Sequence, residues 1–260
     1  MPYDTRYCAY VDILGFGELI DKLDRGETPY DFLKDLLTKV HNPPETIAGS
    51  SEDADFRAQS ISDAVALSAA DNIRGLGALF HSVNQLAVTL LQQGFFIRGA
   101  IVKDKLHHDD KMIFGRALVR AYRLESTVAR YPRVMVTREV VDDIRDRADE
   151  QSIQRMLRRA DDGPMFLHVL REIEIKALPF VLGSAGVKID DTRFSGRLLQ
   201  FCDIPKQLQR RFDEATDNPA HFDKVKWVAN YWNDTLELWG VEGFEQIKGP
   251  GVDRKAAVWG

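Results

Sequence analysis

The 260-residue chain is 44% hydrophobic and 29% charged, a balance that supports a real core in one large domain, or in one ordinary domain with an extension. Its net charge of −5 weighs against a nucleic-acid or acidic-membrane partner, although it leaves room for a local basic pocket that binds a small anion. Cys8 and Cys202 are too few and too far apart for a disulfide framework or a zinc cluster, no apolar run reaches the roughly 20 residues of a membrane span, and MPYDTRY lacks the basic, apolar character of a signal segment, so a cytoplasmic protein is expected.

The first predicted element is a strand over Tyr7 to Leu14, in which Tyr, Val and Ile alternate loosely up to Asp12. Apolar residues from Leu19 to Val40 then fall at helical spacing, interrupted near Gly26 and Pro29, and HNPPETIAGSSEDA reads as a loop. FRAQSI and AVALSA predict a hairpin around Ser62-Asp63, Asn72 to Gln92 a helix, and FFIRGAIVK a strand that turns at HHDD into a short return over Lys111 to Phe114. A helix over Arg116 to Ala129 places Ala117, Ala121, Leu124 and Val128 on one face, and Arg133 to Val136 is another strand. The opening βαββαβ order implies an α+β, ferredoxin-like core over residues 1–140. Beyond it lie charged helices, a strand-like FLHVL, a glycine-rich stretch over 183–196 and the aromatic helix FDKVKWVANYWNDTL, read as a C-terminal elaboration over 141–260 of one continuous domain.

Asp12 closes the first strand and Asp63 sits in the hairpin turn. If those strands are neighbours, the two carboxylates converge where two Mg²⁺ or Mn²⁺ ions, about 3.5–4 Å apart, could take hard oxygen ligands from both side chains and from the Ile13 carbonyl. The N–H groups of Gly15, Phe16 and Gly17, at a helix N-terminus, suit a triphosphate because glycine lets the backbone approach closely. The plainer alternative makes Asp12 a helix-start residue and Asp63 a turn residue, and spacing alone does not decide between the two.

Four segments in order, YVDILGFG, SDAVALSA, IRGAIVKDKLHHDD and GRALVRAYRLE, resemble class III nucleotidyl cyclases over roughly residues 5–137, and most closely the pyrimidine cyclases of Pycsar antiphage systems. The resemblance implies conversion of UTP, with CTP as the alternative, into a 3′,5′-cyclic nucleotide and pyrophosphate by a head-to-tail homodimer with composite sites, the product acting on a separate cyclic-nucleotide-binding effector. Asp12 and Asp63 match the two metal aspartates, with Ile13, Gly15, Phe16 and Gly17 as the cradle for metal and phosphate. Arg123, supplied by the partner chain, matches the transition-state arginine, and Arg98 falls in the stretch matching R-x-G-I, where it would reach the phosphates or form an ordinary salt bridge. Gln59 and Met112 stand where adenylate cyclases carry a base-reading lysine and aspartate, so the charged pair that reads adenine is missing. Val119 replaces the asparagine four residues before the arginine. For the late triphosphate lysine, Lys176 and Lys248 are both open.

The remaining patterns read as structure. His107, His108, Asp109 and Asp110 suit a solvated hairpin turn better than a metal site. Arg116, Arg120 and Arg130 suit a solvated helix face, and Trp227, Tyr231 and Trp232 suit a core. Two rivals to a pyrimidine cyclase stand: a purine cyclase with unusual base contacts, and a catalytically silent, nucleotide-binding homodimer.

Overall fold

The computed structural model describes residues 3–42, 51–146, 155–171, 192–238 and 244–252. Strand β1 (Asp4–Leu14) lies inside the sheet, and its odd-numbered side chains from Tyr7 to Ile13 are buried on one face while Cys8 is buried on the other. Burial pushes the Cys8 thiol up to about 12, so it is an inert core residue. After β1 come α1 (Phe16–Asp24), α2 (Tyr30–His41) and the short α3 (Ser51–Ala54), followed by the hairpin β2 (Arg57–Ile61) and β3 (Ala64–Ala70). Helix α4 (Ile73–Leu91) leads into the long β4 (Phe96–His108). These four strands lie side by side in the order β2-β3-β1-β4, every pair antiparallel. This is the ferredoxin-like arrangement expected of the βαββαβ pattern, and the fold is α+β.

Strand β5 (Ile113–Gly115) folds back on the end of β4, and α5 (Arg116–Thr127) follows directly. Its Ala117, Ala121 and Glu125, spaced four apart, are the buried face. The two alanines pack with Cys8, Val102 and Leu106, and their small side chains let the helix lie close to β1 and β4. Strand β6 (Val134–Val136) runs parallel to β4 and is followed by α6 (Arg138–Arg145). The edge strand β7 (Leu157–Arg159) and then β8 (Met165–Leu167) complete the order β2-β3-β1-β4-β6-β8-β7. FLHVL thus yields the short β8, whereas β7, at three residues, is too brief to show a period of two.

Gly99 sets how closely β4 approaches β1. A Cβ there would collide with the Tyr10 backbone oxygen and sit 3.0 Å from the Val11 Cα. Gly99→Ala is therefore expected to cost about 1–3 kcal/mol, read as a lower urea midpoint, with loss of whatever depends on Asp12 opposite the neighbouring Arg98. An unchanged midpoint would mean that the strands part without cost.

The chain divides into two compact units, Met1–Thr89 with Phe95–Leu167, and Leu90–Gly94 with His168–Gly260. The second contains α7 (Thr192–Ala215), which has Pro205 inside it, and α8 (Pro219–Leu238). Ile204, Leu208, Phe212 and Ala215 make the buried stripe of α7. On α8, Trp232 is wholly buried and donates its Nε1–H to the Glu245 carbonyl at 3.0 Å, while Asn233 exchanges two hydrogen bonds with the Ile247 backbone. Tyr231 is buried beside a half-buried Trp227, so the aromatic group belongs to the core as its spacing implies. Among the described residues no helix is long and apolar enough to cross a membrane.

Candidate active site

Asp12 stands on the face of β1 that α5 covers, directly opposite Ala64 of β3 and Arg98 of β4. Two residues, Ser62 and Asp63, close the β2–β3 hairpin, and Ser62 takes a left-handed φ of 55° that a side chain rarely adopts. The Ile13 N–H donates to the Asp63 carbonyl at 2.8 Å, which ties that turn to the end of β1. Asp12 and Asp63 are therefore held at one corner of the sheet.

The electrostatics agree. Burial pushes the Glu125 carboxyl above its usual range; Arg98 pulls it back, and both Asp12 and Asp63 push it up again. Tyr10 is raised by burial and then by Glu125, Asp12 and Asp63. Tyr10 and Glu125 therefore both lie within electrostatic reach of Asp12 and Asp63. Arg98 answers part of this negative charge, with Nη2 3.4 Å from Asp12 Oδ2 and against Glu125 Oε1. The second contact is a buried ion pair that lowers the Glu125 carboxyl against the effect of its burial. Glu125, whose burial shows only once α5 is packed on β1 and β4, is thus the buried partner of Arg98 at this corner.

The turn after Asp12 has the required openness. Gly15 adopts φ 82°, caps α1 and accepts the Leu19 N–H at 3.0 Å, so the first-turn N–H groups of Phe16 and Gly17 fall where intrahelical acceptors run out. A Cβ on Gly17 would meet nothing within 4 Å. Glu18 in the same turn is paired with Lys22 at 2.9 Å.

These residues suit a divalent pair in charge and donor type. Two hard carboxylates share a corner, and a cation, the Arg98 guanidinium, already lies against one of them. Among the described residues no group of three or more His, Cys, Asp or Glu side chains could hold a metal, so backbone and substrate oxygens would have to complete the coordination.

Arg123 is not drawn into this corner. It lies exposed on the outer stripe of α5 with Val119 and Tyr122, which are 47% and 51% exposed. Lys248 is exposed in the second unit, its backbone bridged to Gln209, and Lys176 lies outside the described residues.

Gln59 faces the same side of the sheet as Asp12, in the row Gln59, Ala66, Tyr10. It lines a cleft of about 590 Å³ together with Arg57, His41, His108, Asp109 and Asp110. Met112 is about half exposed in the β4–β5 turn and does not line that cleft.

The HHDD segment departs from its expectation at both histidines, which belong to β4 and pair with Phe114 and Ile113 of β5. Asp109 behaves as a turn residue, held down to about 2 by the Lys111 and Met112 N–H groups and by His107. His108 is buried at 7% exposure, with Nδ1 2.8 Å from Ser68 Oγ. Arg6 donates its Nε–H to the same oxygen at 3.3 Å and is paired with Asp55. Alternation from Leu106 could have signalled an inward His108, but the turn residues beside it masked that register.

Burial, with Arg6 and Arg57 nearby, pushes His108 down to about 4. Between about 4 and 6.5 the unfolded chain binds this proton and the native chain does not, so stability falls as the pH drops through that window. A component on the order of 3 kcal/mol follows at about 1.4 kcal/mol per pKa unit. Urea midpoints measured from pH 7 to pH 4 should fall less steeply in His108→Gln than in the unmutated protein, and parallel curves would contradict the burial argument.

No family model and no curated protein matches the sequence. Among solved structures, the chain is similar to the monomeric guanylyl cyclase domain of the RhoGC fusion protein from the aquatic fungus Blastocladiella emersonii, at 12% identity and TM-score 0.40 over 64% of this chain and 95% of that one. It is similar to an adenylate/guanylate cyclase/hydrolase from Silicibacter pomeroyi at 18% identity and TM-score 0.38, over 63% and 95%. A class III adenylyl cyclase-like ATP-binding protein from Pseudomonas aeruginosa gives 14% identity and TM-score 0.34, over 54% and 35%. Likenesses of this strength assign neither family nor activity.

Proposed function

We propose that the chain is a nucleotidyl cyclase that converts UTP, with CTP as the alternative, into the 3′,5′-cyclic nucleotide and pyrophosphate. The observation that supports the proposal is the backbone hydrogen bond from Ile13 to Asp63, which ties the hairpin turn to the end of β1 beside Asp12 and the Gly15 turn at the start of α1. The four motif segments supply the family, and the pyrimidine preference and the antiphage second-messenger role rest on that resemblance alone.

In the reaction the ribose 3′-oxygen attacks the α-phosphorus, its proton leaves to solvent, and the bond to the β-phosphate breaks to release pyrophosphate. Divalent ions held by Asp12 and Asp63 would favour the 3′-alkoxide and neutralise the triphosphate. The Gly15–Gly17 turn receives phosphate oxygens on backbone N–H groups, which suits a helix N-terminus. Arg98, which faces Asp12 in the free chain, can turn to a phosphate while Glu125 keeps hold of it. Arg123 acts from a second copy of the chain, where its guanidinium offsets the charge gathering on the phosphorus oxygens. The half-exposed Val119 and Tyr122 beside it suit burial in such a homodimer.

The test is metal dependence. Pyrophosphate release from UTP should stop with a chelator and return with Mn²⁺. Release that persists in the chelator would overturn the two-metal reading.

A further inference from the structure

Glu125 is the third residue of the buried stripe on α5, after Ala117 and Ala121. The two alanines pack with Cys8, Val102 and Leu106, and the close approach they allow carries the Glu125 carboxylate into the contact between helix and sheet. A charge buried in this way persists only against a partner that replaces its lost hydration. Arg98 of β4 is that partner, through the ion pair of its Nη2 with Glu125 Oε1.

The sheet register alone would give Arg98 to Asp12. The two residues are directly opposite on antiparallel strands, a position at which opposite charges normally close on each other. Instead, the Nη2 that lies against Glu125 Oε1 stands 3.4 Å from Asp12 Oδ2, beyond the about 2.7–3.2 Å of an ordinary N–H···O bond. One nitrogen is shared unequally. The Glu125 side chain is 5% exposed and that of Asp12 19%, so Glu125 has given up more hydration and gains more from the guanidinium.

We infer that Glu125 is a positioning residue that holds the Arg98 guanidinium back from Asp12, so that a divalent cation reaches this carboxylate without first breaking a close cross-strand ion pair. The inference rests on the proposed metal-binding role of Asp12 and Asp63, and it adds the residue that keeps a neighbouring cation from competing there. Asp12 is the other carboxylate with which Arg98 pairs among the described residues. When Glu125 loses its hold, Arg98 therefore closes on Asp12 and stands where the cation must bind.

The experiment measures the Mn²⁺ dissociation constant of the full chain without nucleotide, from the electron paramagnetic resonance signal of free Mn²⁺. Glu125→Asp, Glu125→Gln and the combination of Glu125→Gln with Arg98→Met are compared with the unmutated protein, and Asp12→Asn identifies the binding that belongs to this corner. Glu125→Asp keeps the charge but shortens its reach by one methylene, which separates a held guanidinium from a general negative field. Both single variants are expected to bind Mn²⁺ about tenfold to a hundredfold more weakly, because the metal then competes with a charge-assisted hydrogen bond made to Asp12. The double variant has no guanidinium to hold back and should bind at least as tightly as the unmutated protein. A packing defect at α5 would weaken the double variant too.

Unmutated affinity in Glu125→Asp, or a double variant as weak as Glu125→Gln, would overturn the inference. If neither single variant folds, the double variant decides, and weaker binding than in the unmutated protein overturns it. Binding that needs Asp12 but is indifferent to Glu125 would end the inference and leave the metal reading standing. Binding unaltered by Asp12→Asn, or no binding at all, would end both.

Discussion

Asp12→Asn and Asp63→Asn are each expected to lower turnover by about a thousandfold or more without unfolding the protein. Each change is isosteric and removes one negative charge from a corner where two already act on Glu125 and Tyr10. The Glu125 carboxyl is held above its usual range partly by those aspartates, so neutralising either one relieves repulsion and brings Glu125 back toward its ordinary value. The sign follows. A carboxyl raised on folding holds more protons in the native state, so stability falls as the pH rises from its ordinary value through the raised one. Either asparagine variant should weaken that slope, and Asp63→Asn, which leaves the Arg98–Asp12 pair intact, should keep a urea midpoint at pH 7 equal to or above that of the unmutated protein. Activity and stability then move in opposite directions, as they should where a site accepts electrostatic strain to hold cations. Near-normal turnover in either variant, or a large loss of stability, would show that the carboxylates serve the hairpin turn and the start of α1.

Mixing two inactive proteins is expected to restore activity. Arg123 makes no ion pair within the described part of its own chain and lies exposed on α5, whereas Asp63 belongs to the corner formed by β1 and the hairpin. If Arg123 supplies the transition-state charge as proposed, Arg123→Ala should lose about a hundredfold or more of the activity. In a heterodimer of Asp63→Asn with Arg123→Ala, one composite site carries both defects and the other carries neither. Activity should rise toward that of one site per heterodimer as subunits exchange, measured by product formation against time after mixing. No recovery despite demonstrated exchange would place both residues in one chain's site or remove Arg123 from the reaction.

What was legible in the sequence had local causes. The alternation of β1, the two-residue Ser62-Asp63 turn and the alanine stripe of α5 are each fixed by residues a few positions apart, and together they dictate the order of the core. Adjacency of β1 and β3, which brings the Asp63 turn to the end of β1 that carries Asp12, follows from that order. Other features depended on partners far along the chain. Arg98 faces Asp12 only through the β1–β4 register, 86 positions apart, and its pairing with Glu125 needs α5 folded over both strands. Asp109 and Asp110 are turn formers, so the sequence around His108 signals a turn. The burial of His108 comes from Ser68, 40 positions away. Short strands such as β7 carry too few residues for any pattern, and only their neighbour in the sheet defines them.

The measurement that bears most directly on the central claim is identification of the products after incubation with each of the four nucleoside triphosphates and Mn²⁺. A 3′,5′-cyclic pyrimidine nucleotide, with UTP the best substrate and one pyrophosphate released per turnover, is the predicted result. The absence of cyclic product from all four, in protein shown to be folded and dimeric, would contradict the account.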